Sequence, residues 1–264
     1  MSNKQILGAL AVLVILAVLV GMWAKPNAPA EAPTAGDKST ILGGTLESDQ
    51  NYRYKEVGAG YVIEVEYPAA VPLPTPEASK KAALTIETGL AGAIGVFKAD
   101  LAQMLTTEEV ARLQAMGAHY ALGFEYTDYA AEGNHSYAYQ VYQDTGGAHP
   151  NAFYLTYVFD TSGNMVRLED LFESGAPYLQ RLSAAAYPKV VADLRARTNA
   201  ELSPDMLETV RMGTAPSPEA LQFFYLTDDA IHLLFPPYQV ASYAAGSFDI
   251  AIPRAELSDI LKTP

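Results

Sequence analysis

An uninterrupted apolar run near the N-terminus constrains this chain more than any other feature. From Ile6 to Ala24 there are 19 residues without a charge, and all but Gly8 and Gly21 are apolar. At a rise of about 1.5 Å per residue, a helix of this length crosses a bilayer core of about 30 Å. Trp23 stands at its outer end, where an amphipathic ring favours the membrane interface. We therefore predict that residues 1–24 anchor the chain in the cell (inner) membrane as a single pass.

A cleaved signal peptide is the alternative interpretation of the same run. Signal peptides usually have a shorter apolar core, of about 7–15 residues, although Ala28-Pro29-Ala30 offers a small-residue cleavage site. Both interpretations export the rest of the chain, leaving the N-terminus cytoplasmic if the anchor is kept. Residues 25–44 interleave Pro with Ala and Glu, which predicts an extended linker rather than a folded element.

Charge and cysteine content exclude several classes of function. The chain of 264 residues has 17 Lys and Arg against 30 Asp and Glu, a formal net charge of −13. Too few cations are present for a general phosphate-binding surface, so we expect no nucleic acid partner. The absence of Cys excludes disulfides, thiolate zinc sites and an acylated N-terminal Cys. Half of the residues are hydrophobic, which predicts a folded exported part rather than a disordered one.

The exported part is predicted to be α+β, with antiparallel sheets flanked by helices. Period-two alternation followed by Gly-rich turns indicates strands joined by hairpins, and Thr75-Pro76-Glu77 and Thr106 with Glu109 have the pattern of helix N-termini. Because strands and helices come in separate blocks, an α+β class is favoured over alternating α/β. We divide this part into two packed subdomains, an N-terminal one at 45–117 and a C-terminal one at 118–264.

Several motifs along the C-terminal half follow the same order as in a known family. They begin with Thr145–Asn151 (TGGAHPN) and end near Leu257, and the intervening pieces are Phe159-Asp160 with Gly163, Leu168–Phe172, Phe224–Leu226, Leu234–Tyr238, Tyr243–Gly246 and Ile252-Pro253. This part of the chain resembles the RsiV/PdaC-type extracytoplasmic domain family. The resemblance implies an α+β fold, a role in the cell envelope and, from the RsiV branch, recognition of lysozyme by blocking its active-site cleft.

Two departures from that family shape the expected function. The five residues before the apolar run are too few for a cytoplasmic sigma-binding segment, and no deacetylase domain follows Pro264. We therefore expect a tethered recognition module, neither an anti-sigma factor by itself nor a deacetylase.

The candidate binding residues come from the TGGAHPN turn and from an excess of tyrosine. They are His149, Asn151, Tyr142, Tyr137, Tyr139, Tyr238 and Tyr243. Each has a structural alternative: His149 is equally suited to lock its own turn through a backbone carbonyl, and the tyrosines suit ordinary sheet packing. Tyr238 and Tyr243 flank a loop rich in Pro and Gly, a composition that favours recognition at low entropic cost.

The sequence predicts no catalytic residue, no cofactor and no metal. It has no H-E-x-x-H helix, and its serines lack a G-x-S-x-G context. Acidic pairs such as Asp228-Asp229 are interpreted as solvated surface, and a zinc site from His119, His135 and His149 is a minor alternative.

These observations rank three functions. The first is a tethered envelope module that binds a basic, lysozyme-like muramidase or peptidoglycan, because an acidic domain steers a basic partner towards it. The second is a non-catalytic assembly or scaffold protein of the envelope. A hydrolase acting on peptidoglycan comes third, because it needs two carboxylates across a cleft or a metal.

Overall fold

The computed structural model describes residues 41–47 and 50–262. The predicted anchor and most of the predicted linker lie outside these residues, so both stay predictions. The chain divides into two compact units, each assembled from separate stretches. Unit 1 takes the chain up to Ala69 with Ala83–Gly123 and Tyr142–Pro150; unit 2 takes Ala70–Ala82, Phe124–Val141 and Asn151–Pro264. The subdomain boundary placed at residue 117 from sequence stays a prediction.

Two sheets and four α-helices make up the described part of the chain. The first sheet has the order β1-β2-β3-β4-β5-β6 and the second the order β7-β8-β9. The strands are β1 Thr45–Leu46, β2 Asn51–Gly58, β3 Tyr61–Pro68, β4 Tyr120–Ala131, β5 Asn134–Asp144, β6 Asn151–Asp160, β7 Phe224–Leu226, β8 Ala230–Phe235 and β9 Phe248–Pro253. The helices are α1 Pro76–Met104, α2 Thr107–Ala115, α3 Tyr178–Thr198 and α4 Pro204–Gly213. The predicted α+β class with antiparallel sheets is confirmed.

Local sequence signals account for the helix ends. Thr106 caps α2 by accepting a hydrogen bond from the Glu109 amide at 3.2 Å, and Ser203 caps α4 in the same way through Met206. The Glu109 carboxylate accepts hydrogen bonds from Arg112 and Tyr120. Gly117 takes φ +61° shortly after α2, a conformation that glycine adopts without steric penalty.

Helix α1 has the length and hydropathy of a membrane span, and it is the one helix of the described residues that does. Its side chains nevertheless separate into two faces. Ile86, Leu90 and Phe97 are fully buried at helical spacing, whereas Lys80 and Lys98 are solvent-exposed. Lys98 also forms an ion pair with Glu56 on β2, at 2.8 Å. This is the pattern of an amphipathic helix packed in a globular core.

The core of unit 2 forms between α3 and one face of the second sheet. Leu182, Ala186 and Val190 recur every four residues on α3 and are fully buried, and they join a cluster with alternate residues of the strands. Those strand residues include Ile231, Leu233 and Phe235 on β8 and Phe248, Ile250 and Ile252 on β9. Because side chains alternate along a strand, the opposite face of this sheet carries Tyr225, His232 and Asp249.

Candidate functional site

Residues Pro236–Gly246, here called the tyrosine loop, lie between β8 and β9 in unit 2. Tyr238 is 59% exposed and has a φ of +72°. A bulky side chain seldom adopts this left-handed conformation, which costs about 1–2 kcal/mol. The ring of Tyr243 lies 5.6 Å from that of Tyr238, between centroids, with an interplanar angle of 39°. The loop therefore presents two neighbouring tyrosine rings, one of them on strained backbone.

Hydrogen bonds next to Tyr238 hold this strained conformation. The Gln239 side-chain amide donates to the carbonyl oxygens of Gly213 and Ala220, both at 2.8 Å. Val240 is fully buried and Ala241 nearly so. Gly213 has to be glycine, because a Cβ there would overlap the backbone carbonyl of Gln239. The residues that follow Tyr238 thus fix the backbone and leave its ring at the surface.

Arg197 of α3 holds the far end of the loop. Its Nη1 donates to the carbonyl oxygens of Ala245 at 2.8 Å and Ser247 at 2.7 Å. The guanidinium is oriented by two hydrogen bonds to Asp193 and lies 4.0 Å above the centre of the Phe248 ring. Both ends of the loop are consequently anchored, which lowers the entropy that any binding partner has to remove.

The outer face of the second sheet carries a second feature, a network of aromatic and acidic side chains. Tyr225 donates to the Asp249 carboxylate at 2.6 Å, and His232 Nδ1 lies 2.9 Å from the other Asp249 oxygen. The Tyr225 ring is stacked between Tyr129, at 3.9 Å, and His232, at 4.3 Å. Burial raises the pKa of Tyr225 well above its ordinary value, and the hydrogen bond to Asp249 and its negative charge add to the rise. Tyr225 therefore stays protonated and acts as a hydrogen-bond donor.

Acidic side chains also come together at the turn between β7 and β8. The Glu132 amide at the β4–β5 turn donates to Asp228 at 2.7 Å, which brings that turn to the β7–β8 turn. Glu132, Asp228, Asp229 and Asp249 are all exposed and all lie in unit 2. We call these four residues the acidic face. Asp128, next to Tyr129 on β4, points to the opposite side of that strand and pairs with His135. Neither the chain between Arg112 and Arg167 nor that between Arg211 and Arg254 contains a Lys or Arg, and these two stretches supply β4 to β9. A cationic partner is the charge complement of such a face.

The TGGAHPN turn has the hydrogen bond that a structural role for His149 requires. His149 Nδ1 lies 2.9 Å from the carbonyl oxygen of Pro150. Gly146 has a φ of +73°, and its amide donates to Asp144 at 2.9 Å. His149 is half-buried in unit 1, and Asn151 begins β6 in unit 2. A contact of either residue with a partner stays a prediction.

The three candidate tyrosines of β5 have different environments. Tyr142 is 45% exposed, so its ring is accessible to a partner. Tyr137 and Tyr139 are 2% and 0% exposed, and both pack on the ring of Tyr126 at centroid distances of 5.3 and 5.2 Å. A partner cannot reach these two rings while the sheet is intact. Their assignment as binding residues is therefore corrected to sheet packing, the alternative given above.

Histidines elsewhere are engaged in pairs rather than in a metal cluster. His135 is buried and its Nε2 lies 2.9 Å from Asp128, and His232 pairs with Asp249. Among residues 41–47 and 50–262, no group of three or more His, Asp or Glu side chains is arranged to hold a metal ion. The zinc alternative from His119, His135 and His149 has no support in this part of the chain.

Sequence reasoning missed the network around Asp249. Its members come from four strands, with Tyr129 and Tyr225 separated by 96 positions, so no local motif joins them. One signal was available: pairing β7 and β8 across the Thr227–Asp229 turn places Tyr225 opposite His232. Asp249 joins the network because β9 pairs with β8, and the residues next to Asp249 in the sequence do not predict that pairing.

Residues 169–255 match a family described as a protein of unknown function, DUF3298. The matched residues include α3, the tyrosine loop and, from the Asp249 network, all members except Tyr129. This part of the chain is thus similar to that family.

Individual proteins are similar to larger parts of the chain. The chain is 34% identical over 122 residues to the peptidoglycan-N-acetylmuramic acid deacetylase PdaC of Bacillus subtilis; the match covers 46% of this chain and 25% of that protein. The chain thus spans only a quarter of the length of this relative. A solved DUF3298 family member from Bacteroides fragilis superposes with a TM-score of 0.57 at 19% identity, covering 83% of this chain and 95% of that one. A DUF3298 family protein from Pseudomonas aeruginosa gives 0.55 at 14% identity, covering 83% and 97%. At these identities the two structures establish the fold alone.

Proposed function

We propose that this chain is a non-catalytic, membrane-tethered recognition module of the cell envelope, and that its acidic face binds a basic protein. A lysozyme-like muramidase is the partner for which the sequence resemblance argues most directly. The single observation that carries the proposal is the acidic face, whose four carboxylates lie in a part of unit 2 built from two stretches without Lys or Arg.

The location proposed for the module rests on two features. The apolar run Ile6–Ala24 contains no charge, and residues 1–24 have Lys4 as their one charged side chain, so residues 25–264 carry a net charge of −14. The relative named a peptidoglycan deacetylase shares a quarter of its length with this chain, which supports a place near the cell wall. That enzyme's activity is not transferred to this chain.

Two observations support a binding role over a catalytic one. In the described residues His232 forms a hydrogen bond with Asp249, and no nucleophilic hydroxyl lies within hydrogen-bond distance of its ring. The raised pKa of Tyr225 keeps its hydroxyl protonated, so it cannot serve as a base near neutral pH. The network is suited to holding three strands and the β4–β5 hairpin in register beneath a charged surface.

The test is a titration of the purified full chain, in a non-ionic detergent, with a basic lysozyme at low and at moderate salt. The informative variant combines Glu132→Gln with Asp229→Asn, since amides keep the oxygen acceptors and remove the charge. The matched control combines Glu173→Gln with Glu201→Gln, which removes the same number of negative charges at exposed positions outside the acidic face. We expect the first variant to bind about tenfold more weakly at low salt, mainly through a slower association.

Three results would contradict the proposal. These are no binding of wild type at low salt, an equal loss of affinity in both double variants, and an affinity that is independent of salt. In the first case, co-purification of the chain with other membrane proteins would instead favour the envelope scaffold.

A further inference from the structure

We propose that the tyrosine loop and the groove beside it bind an uncharged oligosaccharide. This site is separate from the acidic face, and the inference does not depend on the proposed muramidase partner. Its basis is the rigid pair of tyrosine rings, the lack of charge in the loop and the open groove to which the loop is joined.

The groove runs between α3 and α4 and has a volume of about 650 Å³. Its lining includes Ser183 and Tyr187 of α3 and Met212 at the end of α4. Met212 is 63% exposed, although apolar side chains of this size are usually covered. Gln239, the residue after Tyr238, donates to the carbonyl of Gly213, which stands between the groove residues Met212 and Thr214. The tyrosine loop therefore adjoins the rim of the groove.

The chemistry of this surface favours a sugar chain over a charged ligand. From Ala230 to Phe248 the chain has no Asp, Glu, Lys or Arg. Glu208 and Arg211, which do line the groove, neutralise each other in an ion pair at 2.6 Å. Arg197 at the end of the loop is likewise paired with Asp193, so recognition relies mainly on ring faces and on neutral hydrogen-bonding groups. A pyranose offers both, since its C–H groups lie against an aromatic face while its hydroxyls reach tyrosine hydroxyls and backbone carbonyls.

The geometry of the two rings adds to this argument. Tyr238 and Tyr243 are 5.6 Å apart between centroids and inclined by 39°. This separation is close to that of neighbouring rings along a β-1,4-linked chain. Anchoring by Gln239 and Arg197 fixes the pair before binding, so little order has to be gained when the sugar arrives. An exposed tyrosine held at a φ of +72° is explained if its ring has this task.

The experiment is isothermal titration of the full chain with the N-acetylglucosamine tetramer and with cellotetraose, in a detergent without a sugar head group. Tyr238→Gly removes the ring and suits the left-handed backbone, so it introduces no backbone strain. Tyr238→Phe keeps the ring, and Tyr142→Ala removes a different exposed ring, in unit 1. Thermal unfolding of each variant provides the check on folding.

We expect wild type to bind at least one of the two sugars, and Tyr238→Gly to bind it at least about tenfold more weakly. Tyr238→Phe, Tyr142→Ala and the acidic-face variant should stay within about threefold of wild type. The proposal is overturned if wild type binds neither sugar at millimolar concentration or if Tyr238→Gly binds as tightly as wild type. It is also overturned if Tyr238→Gly loses a protein partner while no sugar binds, because the loop would then belong to a protein interface.

Discussion

Glu56 offers the sharpest test of how unit 1 is held together. Its carboxylate accepts hydrogen bonds from Tyr54, from Tyr61 at 2.6 Å and from Lys98 at 2.8 and 3.0 Å. The bond from Lys98 contributes most to lowering the pKa of Glu56 to about 2 from an ordinary 4.5, and the two tyrosines add to it. These contacts join two strands and a helix, so the charge of one carboxylate stabilises three elements of the fold.

The contribution of the Glu56 charge to the free energy of unfolding follows from that pKa. One pKa unit corresponds to about 1.4 kcal/mol, so a fall from 4.5 to about 2 gives an upper value of about 3 kcal/mol. Because 23% of the side chain is exposed and Lys98 is more exposed still, screening by solvent reduces this to about 1–2 kcal/mol. The folded-state pKa is the lower one, so this stability is present above pH 4.5 and is lost as the pH falls towards 2.

We therefore predict that Glu56→Gln lowers the free energy of unfolding by about 1–2 kcal/mol at pH 7. The difference between wild type and variant should shrink as the pH falls from 5 to about 2.5. Urea unfolding of the full chain in detergent, followed through tyrosine circular dichroism at several pH values, measures this difference. Other carboxylates titrate in both proteins and cancel. A difference that stays constant from pH 7 to pH 3 would show that the charge of Glu56 is not what stabilises the cluster.

Two further substitutions test particular contacts. Gly163 has a φ of +74° and lies against the backbone of Ala78, so Gly163→Ala should destabilise the fold by more than about 2 kcal/mol. Gly133→Ala, at φ +73° with open space around it, should lose only about 1 kcal/mol in the same unfolding assay; equal losses would refute the steric explanation. Tyr129→Ala should cost about 1–2 kcal/mol by removing the stack on Tyr225, while Tyr129→Phe should cost under about 0.5 kcal/mol. A loss of similar size in both Tyr129 variants would assign the effect to the hydroxyl instead.

The sequence predicts those features of the fold that are determined by residues close together along the chain. The α+β class follows from alternation and turn residues, and the N-cap of α2 follows from Thr106. The hydrogen bond of His149 agrees with the structural alternative given for this turn, and its acceptor is the adjacent residue. Each of these features is determined within a few positions along the chain.

What the sequence did not predict depends on distant partners. Alternation placed Tyr137 and Tyr139 on one face of a strand but could not tell that this face is covered. The left-handed backbone at Tyr238 is maintained by Gln239 through Gly213 and Ala220, which are 26 and 19 positions away from Gln239. No propensity of tyrosine favours that conformation.

In the tyrosine loop, the residue that sets the backbone conformation and the residue that presents a side chain to a partner are different. Gln239 and Val240 hold the main chain, and Tyr238 presents the ring. At position 238 the neighbouring residues dictate the path of the main chain, while the ring projects to the surface. Substitution there should therefore alter what the surface recognises more than it alters the path of the backbone. Related chains with the same anchors would then be able to diverge in specificity through a single codon.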